Sequence, residues 1–400
     1  MSCLSRVSIL LLCAPTLALL ADDEAGRKAR ALNRRLLVLD THVDTPTLAL
    51  QRPGWRIDER HDFGHVDLPR MREAGLDAPF MVVYTPSELE PREAALHALR
   101  LCDLIHGWAD DHPELTVART PSEVIAAKKR GEIAMVLCME NGSPIVPGRL
   151  DLLRTYHRLG VRYLSLTHWR TNALCDSATD EPAHDGVSKF GLEVIQECNR
   201  LGVMLDVSHI SDAAVRDHLR HSRAPMIASH SNARARCDHS RNLPDPLLRE
   251  IASRGGVIQL NFAAQYLSDD YRRKDDARRA ARKPREDEIE EQFAGDAARI
   301  REEKRKLRAS QKPIEPPPFE TWFAHLDHVV AVTGVDHVGL GSDFDGVGAT
   351  PRGIADVTSL ERVTRELLDR GWSEENIAKL YGGNLLRVWR AVEERAAHLR

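Results

Sequence analysis

Short apolar runs of strand length alternate along this chain with longer stretches in which apolar positions recur every three or four residues. Eight runs stand out, at residues 36–42, 78–84, 133–140, 163–168, 203–209, 225–230, 257–261 and 338–343. Helical periodicity fills the intervals, most clearly at 92–109, 150–159, 191–201 and 212–221. Runs as continuously apolar as Ile133-Ala134-Met135-Val136-Leu137-Cys138-Met139 fit strands buried on both faces, the condition of a parallel sheet covered by helices. Repeated strand–helix units predict an α/β fold, and eight of them predict a (β/α)8 barrel of the TIM type. One domain over 22–400 accounts for the pattern.

The polar residues fall in a telling place. Seven of the eight runs end in His, Asp, Glu or Asn, the exception being the second, which ends at Tyr84 and Thr85. Ordinary surface polars would favour neither end of a strand, whereas this fold builds its chemistry at the C-terminal ends.

The first run delivers Asp40-Thr41-His42-Val43-Asp44. Side chains alternate along a strand, so His42 and Asp44 share a face if the strand stays extended that far, and an imidazole with a carboxylate can hold one metal ion. Glu140 closes a fully apolar run, where a buried acid requires a cation. His209 and His230 each end an apolar run on consecutive strands. One such histidine is commonly a hydrogen-bonded structural residue; two, joined by Glu140 and the His42/Asp44 pair, make a two-metal site the better account, with Glu140 able to bridge the ions. In the last run, Gly341-Ser342-Asp343-Phe344-Asp345-Gly346, Asp343 is placed to take a proton from a metal-bound water and pass it to a leaving amine. Asp345, ahead of Gly346, reads as a turn or supporting residue.

The alternation breaks once. Between 270 and 308 there are 14 basic and 11 acidic side chains, followed by the Pro-rich 313–318. A net of +3 with interleaved signs suits a solvated helical hairpin better than a basic arm for nucleic acid or anionic lipid. We read 265–320 as a charged helical and Pro-rich insertion between barrel strands 7 and 8, available to cover the barrel mouth or to meet a second subunit of a homodimer. The formal charge of −4 likewise argues against nucleic acid as a partner. From Ser373 onward the tail reads as capped helices joined by a turn at Gly382-Gly383-Asn384.

The first residues stand apart. Arg6, the apolar stretch 7–20 and the small residues Ala18 and Ala21 ahead of Asp22 form a secretory signal, expected over 1–21 and too short to span a bilayer. Cys13 suggests a lipoprotein signal only faintly. The expectation is an exported protein, periplasmic or secreted, without stable membrane insertion once the leader is removed. Cys102, Cys138, Cys175, Cys198 and Cys237 would remain, an odd set without C-x-x-C spacing, read mostly as buried small hydrophobes with one pair open to oxidation.

Several stretches, taken in order, resemble the membrane dipeptidase (renal dipeptidase) family of binuclear zinc peptidases with an amidohydrolase-type barrel. They are Asp40-Thr41-His42-Val43-Asp44, Val66-Asp67-Leu68-Pro69-Arg70, Gly160-Val161-Arg162-Tyr163-Leu164-Ser165-Leu166-Thr167-His168, Leu205-Asp206-Val207-Ser208-His209, Ser229-His230-Ser231, Arg241-Asn242-Leu243-Pro244 and Gly341-Ser342-Asp343-Phe344-Asp345-Gly346. The resemblance implies two Zn²⁺ per chain, one on His42 and Asp44, the other on His209 and His230, with Glu140 bridging. It implies that Asp343 handles the proton of the bridging water, that His168 stabilises the oxyanion of the tetrahedral intermediate and that Arg241 clamps the dipeptide carboxylate; without it Arg241 reads as a surface residue. It also implies hydrolysis of free dipeptides, including those with a C-terminal D-residue, and of carbapenem-like amides.

Two departures bear on substrate choice: Asn141-Gly142-Ser143-Pro144 replaces the family's Gly-Gly-His after the glutamate, and Ala263 stands where an aromatic often follows Asn-Phe. Another binuclear amidohydrolase, acting on a lactone, cyclic amide or phosphoester, is the alternative enzyme; those typically begin with H-x-H and often use a bridging lysine, where this chain has H-x-D and His168. A non-catalytic metal-binding protein is the alternative from another class.

Overall fold

The computed structural model describes residues 24–399, so the expected leader lies outside the described residues. Among the described residues nine strands form: β1 (Leu39–Val43), β2 (Ala78–Tyr84), β3 (Leu115–Val117), β4 (Ile133–Glu140), β5 (Val161–Ser165), β6 (Met204–Asp206), β7 (Ile227–Ala228), β8 (Val257–Leu260) and β9 (Val338–Leu340). Eight follow the order β1-β2-β4-β5-β6-β7-β8-β9, each paired in parallel with the next. The ring closes where Val43 bridges Phe344 and the Asp44 amide donates to the Phe344 carbonyl at 2.8 Å. This is the expected eight-stranded parallel α/β barrel.

Side chains on the inner faces, among them Phe80, Val82, Val136, Cys138, Tyr163 and Met204, make one buried cluster together with Leu385 and Trp389 of the C-terminal helix. The outer faces pack on the surrounding helices in a second, larger cluster. The interior is therefore a packed core, and the chemistry is confined to the mouth.

Helix boundaries follow local signals. Ser188 and Ser211 cap the helices Lys189–Leu201 and Asp212–His221 by accepting from Gly191 N and Ala214 N. Gly160 and Gly202, at φ 119° and 82°, end helices in the left-handed region that a side chain would disfavour. Asp67 caps Leu68–Ala74 and holds Arg70 at 2.7 Å, while Arg70 also donates to the carbonyls of Gly64 and Phe63, fixing a loop beside the mouth.

Three features differ from the sequence reading. β3 was not anticipated: it pairs with the first residues of β4 from outside the ring, and three residues are too few to show a period. The helix Glu24–Arg35 was not anticipated either; it packs on Leu360–Asp369 through Arg30–Glu361 at 2.7 Å. Gly382 and Gly383 do not turn the chain. They lie in a π-helical segment, Lys379–Gly383, that continues into Asn384–Ala397. A Cβ on Gly382 would sit 2.6 Å from Leu39 Cδ1 and 2.8 Å from the Leu37 carbonyl, so that glycine serves close approach to the first strand.

Between β8 and β9 stand the helices Asp269–Gln292 and Ala297–Ala309, with Tyr271, Asp275 and Ile289 the buried residues of the first. Ion pairs lace them, within a helix as at Arg282–Glu286 (2.9 Å) and across as at Arg308–Glu286 (3.0 Å). Each exposed pair contributes little by itself. All five cysteines among the described residues are buried and unpaired, so no disulfide links them.

Candidate metal centre

The side chains singled out in the sequence meet at the C-terminal mouth of the ring, most of them one to three residues past the end of their strand. His42 is on β1 and wholly buried. Asp44 has already left the strand, at φ −87° and ψ 12°, as the residue preceding the helix Thr45–Leu50. Alternation along an extended strand is therefore not how the pair meets. Pro46 starts the helix at once, and the bend places Asp44 Oδ2 3.4 Å from His42 Nε2.

Glu140, the last residue of β4, points one oxygen at three rings: Oε1 is 3.0 Å from His209 Nε2, 3.4 Å from His230 Nε2 and 3.5 Å from His42 Nε2. The Nε2 atoms of His209 and His230 are 2.9 Å apart. His42, Glu140 and His230 form one trio whose donor atoms lie within 4.8 Å of one another; Glu140, His168 and His209 form a second, and His42, Asp44 and Asp343 a third. All are shielded from bulk water, Asp343 most exposed at 9%.

The backbone bends sharply to aim these groups. Of the five non-glycine residues with positive φ among the described residues, four surround the mouth: Asn141 (72°), His209 (73°), Asp343 (64°) and Asp345 (67°). Left-handed backbone is unfavourable for residues with a Cβ and is retained where tertiary contacts over-determine it. Asp345 is engaged in such contacts, accepting from Thr45 Oγ1 at 2.5 Å and His65 N at 2.6 Å, which fits the supporting role expected of it.

Burial shapes the charges. It pushes Glu140 up and Asp343 well up from the carboxylate range, partly opposed by His42. Burial also drives His168, His209 and His230 well below the usual imidazole range, so these rings are neutral. At His42 burial opposes the charged form too, but the carboxylates of Glu140 and Asp44 outweigh it and hold the ring well up. Neutral imidazole nitrogens and carboxylate oxygens so close, away from water, need a cation among them, and a mixed N/O set suits a borderline ion. The donor set fits a metal.

Beside the trios is a buried cation. Arg241, 3% exposed, makes only long contacts, Nη1 to Ser231 Oγ at 3.5 Å and Nη2 to the His230 carbonyl at 3.4 Å, and its Nε is buried without a partner. Its guanidinium lies 5.3 Å from the Tyr266 ring centre. His168 has a buried Nδ1 without a partner and is flanked edge-on by Tyr84 at 4.8 Å and Trp169 at 5.0 Å.

Comparison with known proteins decides what kind of barrel this is. Residues 26–400 match the family model described as Membrane dipeptidase (Peptidase family M19). The chain belongs to the membrane dipeptidase family. It is therefore a dipeptide-hydrolysing metallopeptidase with a barrel fold. Dipeptidase aclJ of Aspergillus oryzae is 34% identical over 354 residues, covering 85% of this chain and 73% of that protein. Among solved structures, the probable dipeptidase PvdM from Pseudomonas aeruginosa is 28% identical, with a TM-score of 0.78 over 93% of this chain and 99% of that one. A metallo peptidase from Rhodobacter sphaeroides, solved with a phosphinate mimic of the dipeptide L-Ala-D-Ala, is 27% identical, with a TM-score of 0.74 over 89% and 99%.

The departures from the family pattern now have a local explanation. Asn141 adopts the left-handed backbone that glycine would supply, and its amide ties three loops together, Nδ2 donating to the Thr85 carbonyl at 2.8 Å and Oδ1 accepting from Asn172 Nδ2 at 3.1 Å. Ala263 is buried, and Tyr266, three residues on, provides the ring beside Arg241. Sequence reasoning overlooked Tyr163, Asp206 and Ser229, which stand behind the histidines, and Trp169, 37% exposed and edge-on to both His168 and His209. An acid within the apolar run 203–207 was the one available signal, and it pointed to Asp206.

Proposed function

We propose that the protein is an exported dizinc dipeptidase in which His42 and Asp44 hold one ion, His209 and His230 the other, and Glu140 bridges them. The observation that carries this reading is the convergence of those five ligand side chains beside a buried guanidinium with unsatisfied donors. A zinc pair would supply a Lewis acid for the scissile carbonyl and a water acidic enough to ionise near neutral pH. Asp343, whose ionised carboxylate burial makes a stronger base, would take the proton of the attacking water and deliver it to the leaving amine. His168, neutral and held by Tyr84 and Trp169, donates its N–H to the developing oxyanion. Arg241 binds the α-carboxylate in the two-pronged manner open to guanidinium but not to an ammonium.

A free dipeptide is the substrate this arrangement favours, because a guanidinium in contact with the backbone of His230 would read a free carboxylate beside the residues proposed to hold the metals. The dipeptide mimic bound to the Rhodobacter sphaeroides relative supports acceptance of a C-terminal D-residue. Export is supported by the charged, apolar and small-residue order of 1–21; among the described residues no helix is long and apolar enough to cross a membrane.

Metal-stripped protein, titrated with zinc and assayed on L-Ala-L-Ala and L-Ala-D-Ala, tests the reading. Activity should rise until two equivalents are bound, and His230→Ala should bind less zinc. Full hydrolysis by metal-free protein, or saturation at one equivalent, would overturn it.

A further inference from the structure

The histidines of the centre do not merely converge; two of them have only one ring nitrogen left to offer. On His230, Nδ1 is 2.7 Å from Ser229 Oγ. That hydroxyl has one proton, and it goes to Asp206 Oδ2, also at 2.7 Å. Asp206 is wholly buried and surrounded by donors: Ser165 Oγ and Ser229 Oγ meet Oδ2, while the amides of Ser208 (3.0 Å) and Ser229 (2.7 Å) meet Oδ1. A carboxylate can only accept, so the Ser229 proton cannot turn toward the ring without leaving two oxygens face to face. Ser229 Oγ must therefore accept from His230, which places the ring proton on Nδ1 and the lone pair on Nε2, toward Glu140.

An independent set of atoms does the same for His42. Its Nδ1 is 2.7 Å from the Tyr163 hydroxyl, which donates its own proton to the Thr41 carbonyl at 3.0 Å. A carbonyl cannot donate, so the tyrosine oxygen accepts from Nδ1–H. His42 and Tyr163 are both fully buried. His209 lacks this support: its Nδ1 is buried without a partner.

We propose that Asp206, acting through Ser229, and Tyr163, through its hydroxyl, are positioning residues that hold the Nδ1 protons of His230 and His42 and thereby reserve both Nε2 atoms for metal. The proposal rests on the dizinc reading and adds to it residues that touch neither metal nor substrate. Ring tautomer is set by the hydrogen bond at the other nitrogen, and loss of such an outer partner costs roughly 10–100-fold in metal affinity.

Asp206→Asn is the discriminating variant, because it keeps shape while turning one acceptor into a donor. Its amide would donate to Ser229 Oγ, the hydroxyl would rotate to donate to His230 Nδ1, and the ring proton would move to Nε2. In metal-free full-length protein with ¹⁵N-labelled histidine, His230 should change from the Nδ1–H to the Nε2–H form. Zinc Kd, measured by competition with a chromophoric chelator, should rise roughly 10–100-fold. Ser229→Ala and Tyr163→Phe, which remove the acceptor without reversing it, should weaken zinc less, and Ser229→Ala should leave His230 in mixed form; they also serve if Asp206→Asn does not fold. A wild-type His230 already in the Nε2–H form, or variants binding zinc as tightly as wild type, would overturn the proposal. Failure of the wild type to bind zinc would instead sink the dizinc reading, and the tautomer spectra would still decide the hydrogen-bond assignment.

Discussion

Arg241→Met offers a direct measure of substrate recognition. Arg241 is 3% exposed and its guanidinium donates only to oxygens at 3.4 and 3.5 Å, too long to satisfy its donors well. A substrate carboxylate would provide two short charge-assisted bonds in place of those contacts. Hydrogen bonds to charged groups contribute about 1.5–3 kcal/mol each, so the pair is worth at least about 3 kcal/mol, or a little over a hundredfold in kcat/KM at about 1.36 kcal/mol per tenfold. The assay compares L-Ala-D-Ala with its C-terminal amide on wild type and variant. Wild type should favour the free acid by more than about a hundredfold, and Arg241→Met should treat the two nearly alike. Loss of the Tyr266 contact affects both substrates equally, so the amide is the internal control, and zinc content should not change. A wild type that cleaves the amide as well as the acid, or a variant that loses equally on both, would refute the clamp.

Three further outcomes are expected. Asp343→Asn should keep its bound metal while kcat falls by roughly 10²–10⁴; wild-type turnover would remove Asp343 from proton transfer. In Gly341→Ala the new Cβ would meet the Ser229 carbonyl at 1.9 Å and Thr41 Oγ1 at 2.5 Å, so the backbone must yield at a cost of about 1–3 kcal/mol, seen as a lower urea midpoint with an unchanged slope; an unchanged midpoint would contradict that close approach. His218 is buried, and desolvation lowers it from 6.5 to about 4. The unfolded chain takes up this proton first as pH falls, so the stability is fully present above 6.5 and is lost on descent toward pH 4, by about 3 kcal/mol in all. His218→Leu should flatten that part of the unfolding profile of metal-free protein, and an equally steep profile would show that another group is responsible.

Much of the barrel was legible in the chain. Continuous apolar runs state that both faces of a strand are covered, and such runs with helical intervals leave few architectures open. His42, Glu140, His209, His230 and Asp343 were legible for a related reason, since a polar residue ending a buried run must have a purpose. The two helices between β8 and β9 lie in the segment whose interleaved charges suit solvated helix surfaces.

What tertiary structure decided is who meets whom. Asp44 reaches His42 through a bend set by Pro46 and by the closure of β1 on the segment after β9, where alternation alone expected an extended strand. Arg241 is polar by local pattern, yet the loops around Ser231 and Tyr266 bury it. Gly382 looks like a turn until Leu39, hundreds of residues earlier, is seen against it. The partner of the His42 ring is equally non-local, since Tyr163 lies 121 positions away. Sequence periodicity reports whether a side chain faces the core, because burial is averaged over an environment. A hydrogen bond requires one donor within about 3 Å of one acceptor, and only the closed ring brings atoms from distant strands to that separation.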